Sequence, residues 1–110
     1  MKRFILLNLL VTCVALAGSA QAADKKIERL YGSKCAACHG KDGKAQTEKG
    51  KKMKVRDLAS AEVQKSTDAE MKKAISEGLK TEHGEMEGFK DDIKDPELDA
   101  LVKYMREFKK

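Results

Sequence analysis

Cys35-Ala36-Ala37-Cys38-His39 is the stretch on which the reading of this 110-residue chain turns. Two cysteines three apart, followed at once by histidine, form the pattern for covalent attachment of a c-type haem. Each thiol can bond one vinyl group of the porphyrin, and the next residue then sits where its imidazole reaches the iron. The competing readings are a redox dithiol and half of a zinc site. A thioredoxin-like dithiol goes with a βαβ pattern, and no stretch of this chain reads as a convincing strand. A structural zinc site needs further Cys or His ligands, and downstream of the motif the chain offers only His83. The motif therefore predicts one covalently bound haem, with its iron, per chain.

Upstream lie Lys2-Arg3, an apolar run from Phe4 to Ala17, and Ala20-Gln21-Ala22. A charged start, an apolar middle and a small-residue cleavage site make an export signal. The run is short for a membrane span and contains Asn8 and Thr12. Cleavage is expected after Ala22, dividing the chain into a signal, 1–22, and one domain of 88 residues, 23–110. Cys13 lies inside the apolar run with no small residue before it, and is read as part of the removed leader rather than as a lipid anchor. Export would place the domain in the periplasm. Attachment of c-type haem takes place outside the cytoplasm, so signal and motif support each other. No later stretch is apolar for long enough to span a membrane.

Removing Lys2 and Arg3 leaves 21 basic against 18 acidic side chains, a formal +3. With few aromatics and no Trp, the domain has a small core of its own. Haem would supply the missing apolar bulk, so the chain without it is expected to fold poorly. Charge is unevenly spread: Lys41–Arg56 carries seven basic and two acidic residues, and Glu82–Asp99 eight acidic and two basic. Such a dipole can orient a small carrier towards a partner; the plainer reading is that it keeps a small protein soluble. Export, modest net charge and scarce stacking residues argue against nucleic acid as partner.

Asp24–Ser33 reads as a first helix, with Asp24 as cap and Ile27, Leu30 and Tyr31 at helical spacing. Gly40–Lys52 is polar and aperiodic, a loop. Ser60 caps a short helix to about Lys65, and Thr67-Asp68-Ala69-Glu70 is a capping box. Met71, Ala74 and Ile75 form the face of the helix it starts, which Gly78 stops. Leu79–Lys94 reads as a second long loop; a loop of that length in a small domain is usually functional. Asp95-Pro96-Glu97 starts the last helix, with Asp95 as cap and Pro96 at its first position. Leu98, Leu101, Val102, Met105 and Phe108 make one apolar stripe along it. The expected fold class is all-α.

The whole predicted mature chain resembles a class I c-type cytochrome of the small bacterial single-haem kind. Leu30-Tyr31-x-x-Lys34-Cys35-Ala36-Ala37-Cys38-His39-Gly40 is similar to the family's first helix and attachment site. Gly84-Glu85-Met86 is similar to the Gly-x-Met of its distal loop, and Leu101-Val102-x-Tyr104 to its last helix. The resemblance implies that first and last helices cross, bringing Ile27 and Tyr31 against Leu101 and Tyr104. It also implies His39 as proximal and Met86 as distal iron ligand. The chain departs from the family in having Glu87 where proline usually follows the axial methionine, so the ligand loop lacks a rigid φ.

Other candidates for the distal position are weaker. Met71 and Met105 lie on apolar helix faces, where methionine fills core space. Met53 is only 14 residues beyond His39 and is expected, with Leu58, to line the haem wall. His83, three residues from Met86, is the rival ligand and would give bis-His coordination. Arg56 is the candidate partner of a haem propionate, because guanidinium matches carboxylate geometry; the alternative is a solvated cation.

These residues predict a monomeric, diffusible electron carrier that is not itself an enzyme and that exchanges electrons with redox partner proteins. The alternatives are a cytochrome subunit of a larger oxidoreductase, and a haem enzyme or gas sensor with an open distal position.

Overall fold

The computed structural model describes residues 17–82 and 84–109. The charged start of the export signal, Cys13 and His83 lie outside them. The helices are α1 (Ala17–Lys34), α2 (Ala36–His39), α3 (Glu48–Lys52), α4 (Ala61–Gln64), α5 (Asp68–Glu77) and α6 (Asp95–Arg106). Between α5 and α6 runs a hairpin of β1 (Leu79–Thr81) and β2 (Gly84–Met86), and a 3-10 turn, Glu107–Lys109, ends the described chain.

The apolar spacing decides the core. Ile27 and Tyr31 on α1, Met71 and Ile75 on α5, and Leu98, Leu101, Val102 and Met105 on α6 are buried in one cluster with Leu58 and Val63. Full burial of such a side chain stabilises by roughly 1.5–3 kcal/mol. Helix α6 packs on both α1 and α5. Tyr31 meets Tyr104 and Phe108, each with ring centroids 5.2 Å away, as the predicted crossing of the terminal helices requires. Met71 and Met105 fill core space, as their helix positions suggest.

Capping follows the sequence closely at two helices. Ser60 accepts from the Val63 amide, and Thr67 and Glu70 form the reciprocal capping box. Gly78 ends α5 at φ 83°, a conformation that favours glycine. At the far end of α6, Arg106 donates to the carbonyls of Gln64 (2.8 Å) and Ser66 (2.6 Å) and to Asp68, tying the α4–α5 link to the last helix.

Four expectations need correction. Helix α1 starts seven residues before Asp24, because Ala-rich sequence with high helix propensity precedes it, and Asp24 is interior to the helix rather than its cap. Gly40–Lys52 is not wholly loop: Thr47 caps α3 by accepting from the Gly50 amide. Leu79–Lys94 contains the antiparallel hairpin, paired Leu79 to Met86, Lys80 to Glu85 and Thr81 to Gly84, so the helical fold carries a small sheet. The cap of α6 is Lys94, whose carbonyl accepts from Glu97 and Leu98, while Asp95 and Pro96 are already in the first turn. The segment after the hairpin also contributes core: Phe89 and Ile93 are buried, and the amides of Phe89 and Lys90 cap the carbonyls of Ile75 and Ser76 at the end of α5.

Candidate functional site

The motif sits where α1 breaks. The Cys35 amide still bonds to the Tyr31 carbonyl at 2.8 Å, and α2 then runs for four residues until Gly40, at φ 78°. Cys35 and Cys38, at i and i+3, fall on one side of that turn. Both are free thiols, both half-buried, and Cys35 packs against the core. Burial, with Cys38 adding to it, pushes the Cys35 thiol up to about 11. An environment that disfavours thiolate suits a neutral thioether.

A four-residue helix leaves its carbonyls without a following turn to accept from, and the chain between Gly40 and Thr47 supplies the donors. The Thr47 hydroxyl lies 2.9 Å from the Ala37 carbonyl and 3.0 Å from that of Cys38. The Ala45 amide donates to the His39 carbonyl at 2.8 Å. The Gly40 carbonyl accepts from the buried Tyr31 hydroxyl at 2.6 Å and from the Gly43 amide. Burial raises the Tyr31 phenol above its usual range, so that it stays a donor.

His39 is half-buried, with Nδ1 3.2 Å from the Arg56 carbonyl. A carbonyl only accepts, so this contact puts the ring proton on Nδ1 and leaves the Nε2 lone pair for a metal. Burial lowers the imidazole below its usual value and so favours the neutral ring that a ligand must be, against the Arg56 bond, which pulls the other way.

Met86 ends β2, half-buried and packed against the same core as Cys35. Met53 closes α3 and lies beside Gly84: a Cβ on Gly84 would stand 3.1 Å from the Met53 methyl. The structure thus places the segments before Arg56 and before Met86 in contact. Leu58 belongs to the core cluster. The Arg56 side chain is exposed; the part of Arg56 that the structure brings to the site is its carbonyl, which no residue-type signal in the sequence marks. Thr47 was equally invisible, since a polar loop threonine looks like any other. Among the described residues, no group of three or more His, Cys, Asp or Glu side chains gathers to hold an ion, and no helix is long and apolar enough to cross a membrane.

Two free thiols one helical turn apart, an imidazole with its tautomer fixed by a backbone carbonyl, and a thioether on the border of the same core fit a covalently held haem. A helical fold closed by its terminal helices around such a motif is that of a class I c-type cytochrome. Residues 22–105 match the family described as cytochrome c oxidase, cbb3-type, subunit III, and the chain belongs to this family of cytochrome c domains. Among solved structures the chain is similar to the KustC0563 c-type cytochrome, at 37% identity and a TM-score of 0.65, over 76% of this chain and 96% of that one. No curated protein matches it. A cytochrome c domain carries covalently bound haem c and works by haem-based electron transfer with redox partners.

Proposed function

We propose that the chain is an exported, diffusible electron carrier in which His39 and Met86 hold the two axial positions of one haem. Bound there, the haem supplies a one-electron Fe(II)/Fe(III) change. Cys35 and Cys38 would anchor it through thioethers, and His39 would offer Nε2 because Arg56 occupies its other nitrogen. Met86 would bring a neutral sulfur, which favours a higher potential, and the Arg56 guanidinium would pair with a propionate. With His39 and Met86 both engaged as ligands, no position would stay open for a substrate, which argues for a carrier rather than an enzyme or gas sensor. Cleavage after Ala22 would release residues 23–110 into the periplasm as a monomeric domain.

The observation that carries this reading is the His39–Arg56 contact, which engages Nδ1 and leaves Nε2 as the ligand atom. Exposed Lys49, Lys51, Lys52 and Lys54 follow on α3 and just beyond it, and a shallow depression lined by Ala37, Thr47, Glu48, Lys49 and Lys52 adjoins the motif. That surface would favour an acidic redox partner and make the encounter salt-dependent.

The test is the far-red absorption of the purified ferric protein. A weak sulfur-to-iron band, lost in Met86→Ala and kept in His83→Ala, is expected. A low-spin spectrum without the band would move the distal ligand to His83, and a high-spin spectrum would revive the open-site reading. A second reading, a subunit of a larger oxidoreductase, is favoured by the description of the matching family. Stable co-purification with an exported partner would support it over free diffusion.

A further inference from the structure

We infer that Thr47 is the positioning residue of the His39 side: one hydroxyl fixes both the backbone that presents the ring and the carbonyl that aims it. The inference rests on the proposed role of His39 as iron ligand.

Thr47 Oγ1 is the meeting point of three backbone groups. It accepts from the Gly50 amide at 2.9 Å and stands 2.9 and 3.0 Å from the carbonyls of Ala37 and Cys38. A hydroxyl has one proton to give and lone pairs to accept with. The proton is therefore shared between two carbonyls of the attachment turn while a lone pair caps α3. Both halves of the hydroxyl are in use, which sets Thr47 apart from an ordinary cap, where an acceptor is enough. Gly50 makes the geometry possible. It is buried, and a Cβ there would run into the Cys38 carbonyl, with the Ala45 carbonyl at 2.8 Å and Thr47 Oγ1 at 2.9 Å.

From this point two paths lead to His39. The first is the Cys38 carbonyl, in the peptide that joins Cys38 to His39. The second runs through Gly50, whose carbonyl accepts from the Val55 amide at 3.0 Å, and on to the adjacent Arg56, whose carbonyl accepts from His39 Nδ1 at 3.2 Å. Lys54, in between, has φ 50°, so this segment keeps a conformation unfavourable to a non-glycine residue and depends on its bonds to hold it. Loss of the Thr47 proton frees two carbonyls of the motif and lets the ring shift against its acceptor at Nδ1, while loss of the lone pair loosens that acceptor through Gly50. A weaker Nδ1–H bond makes the imidazole a poorer donor to iron, which favours the reduced state.

The experiment uses the haem-loaded protein with Thr47→Ser, Thr47→Val and Thr47→Asp, reading the redox midpoint, the NMR exchange rate of the His39 Nδ1 proton and the melting temperature. Thr47→Ser keeps donor and acceptor and is expected to match the parent in potential and exchange. Thr47→Val loses both, and the ratio of reduced to oxidised protein at fixed applied potential should rise about two- to tenfold, the worth of a hydrogen bond. Thr47→Asp keeps the helix cap but has no proton to give. It should speed Nδ1–H exchange by a similar factor, and it carries the test if the valine variant does not mature. Parent-like exchange in Thr47→Asp, or parent-like exchange and potential in Thr47→Val, would overturn the positioning role whatever the melting temperature. If ferric wild-type protein lacks paramagnetically shifted His39 ring signals, the ligation reading itself fails and takes this inference with it.

Discussion

On the His39 side, the carbonyls of Ala37, Cys38, His39 and Gly40 each accept from another segment, and the ring is held at Nδ1. The Met86 side is built differently: its residue ends a three-residue strand whose partner strand is exposed throughout, and it is placed by the turn at Gly78 and by contact with the core. The contrast follows from the two side chains. An imidazole has a direction and two unlike nitrogens, so directional bonds are needed to aim it. A thioether has no proton to donate, is a weak acceptor and is flexible, so apolar contact is enough. Under the proposed ligation, the first side should resist exchange of its ligand and the second should be the place where exchange begins.

The most severe break removes the cofactor from both sides. Cys35→Ala/Cys38→Ala should abolish covalently held pigment on a denaturing gel and leave a chain without cooperative unfolding. A sharp denaturant transition in that variant would mean the apolar cluster suffices alone. Next in size is Gly50→Ala, where the new methyl meets the Cys38 carbonyl. Overpacking of this kind costs about 1–3 kcal/mol, readable as a lowered denaturant midpoint with the far-red band kept.

Tyr31→Phe sharpens the same side through pH. Losing the bond to the Gly40 carbonyl should cost about 0.5–1.5 kcal/mol at neutral pH. The folded phenol is raised by burial, so its contribution is fully present below the ordinary value of about 10 and is lost as pH rises from there through the folded value. Burial raises Tyr104 as well, with the same sign. The parent should lose stability progressively above about pH 10, and Tyr31→Phe should show a shallower fall in chemical unfolding curves over that range. Equal slopes would mean that Tyr31 is not protected.

The smallest expected effect probes the Met86 side. Glu87→Pro restores a fixed φ after the proposed ligand, and a pre-set backbone is worth about 0.4–1 kcal/mol. Displacement of Met86 by added imidazole should slow by about two- to fivefold. An unchanged rate would show that the loop is already fixed by the hairpin.

What was legible in the chain divides along the same line. Periodicity exposed the apolar faces of α1, α5 and α6, and Thr67-Asp68-Ala69-Glu70 announced its own helix because a capping box is local chemistry. The hairpin was hidden: Leu79-Lys80-Thr81 and Gly84-Glu85-Met86 are too short to show alternation, and their pairing is made by main-chain groups that every residue has. Phe89 and Ile93 were hidden as core because each stands alone in a polar stretch and is buried only by folding back onto α5. Around the motif, Cys35, Cys38 and His39 declared themselves by spacing. The contributions of Thr47 and Arg56 did not, since one acts through a common hydroxyl and the other through a main-chain oxygen that every residue has.

The ring stack between the first and last helices has a kinetic consequence. Tyr31 meets Tyr104 and Phe108, 73 and 77 positions further along the chain. Closing a loop of that length carries a chain-entropy cost of about 4 kcal/mol beyond its constant part, and such distant contacts slow folding. A polypeptide delivered from its N-terminus presents Cys35 and Cys38 long before Tyr104 arrives. Both thiols are thus in place well before Tyr104 and Phe108 can close the first helix against α6.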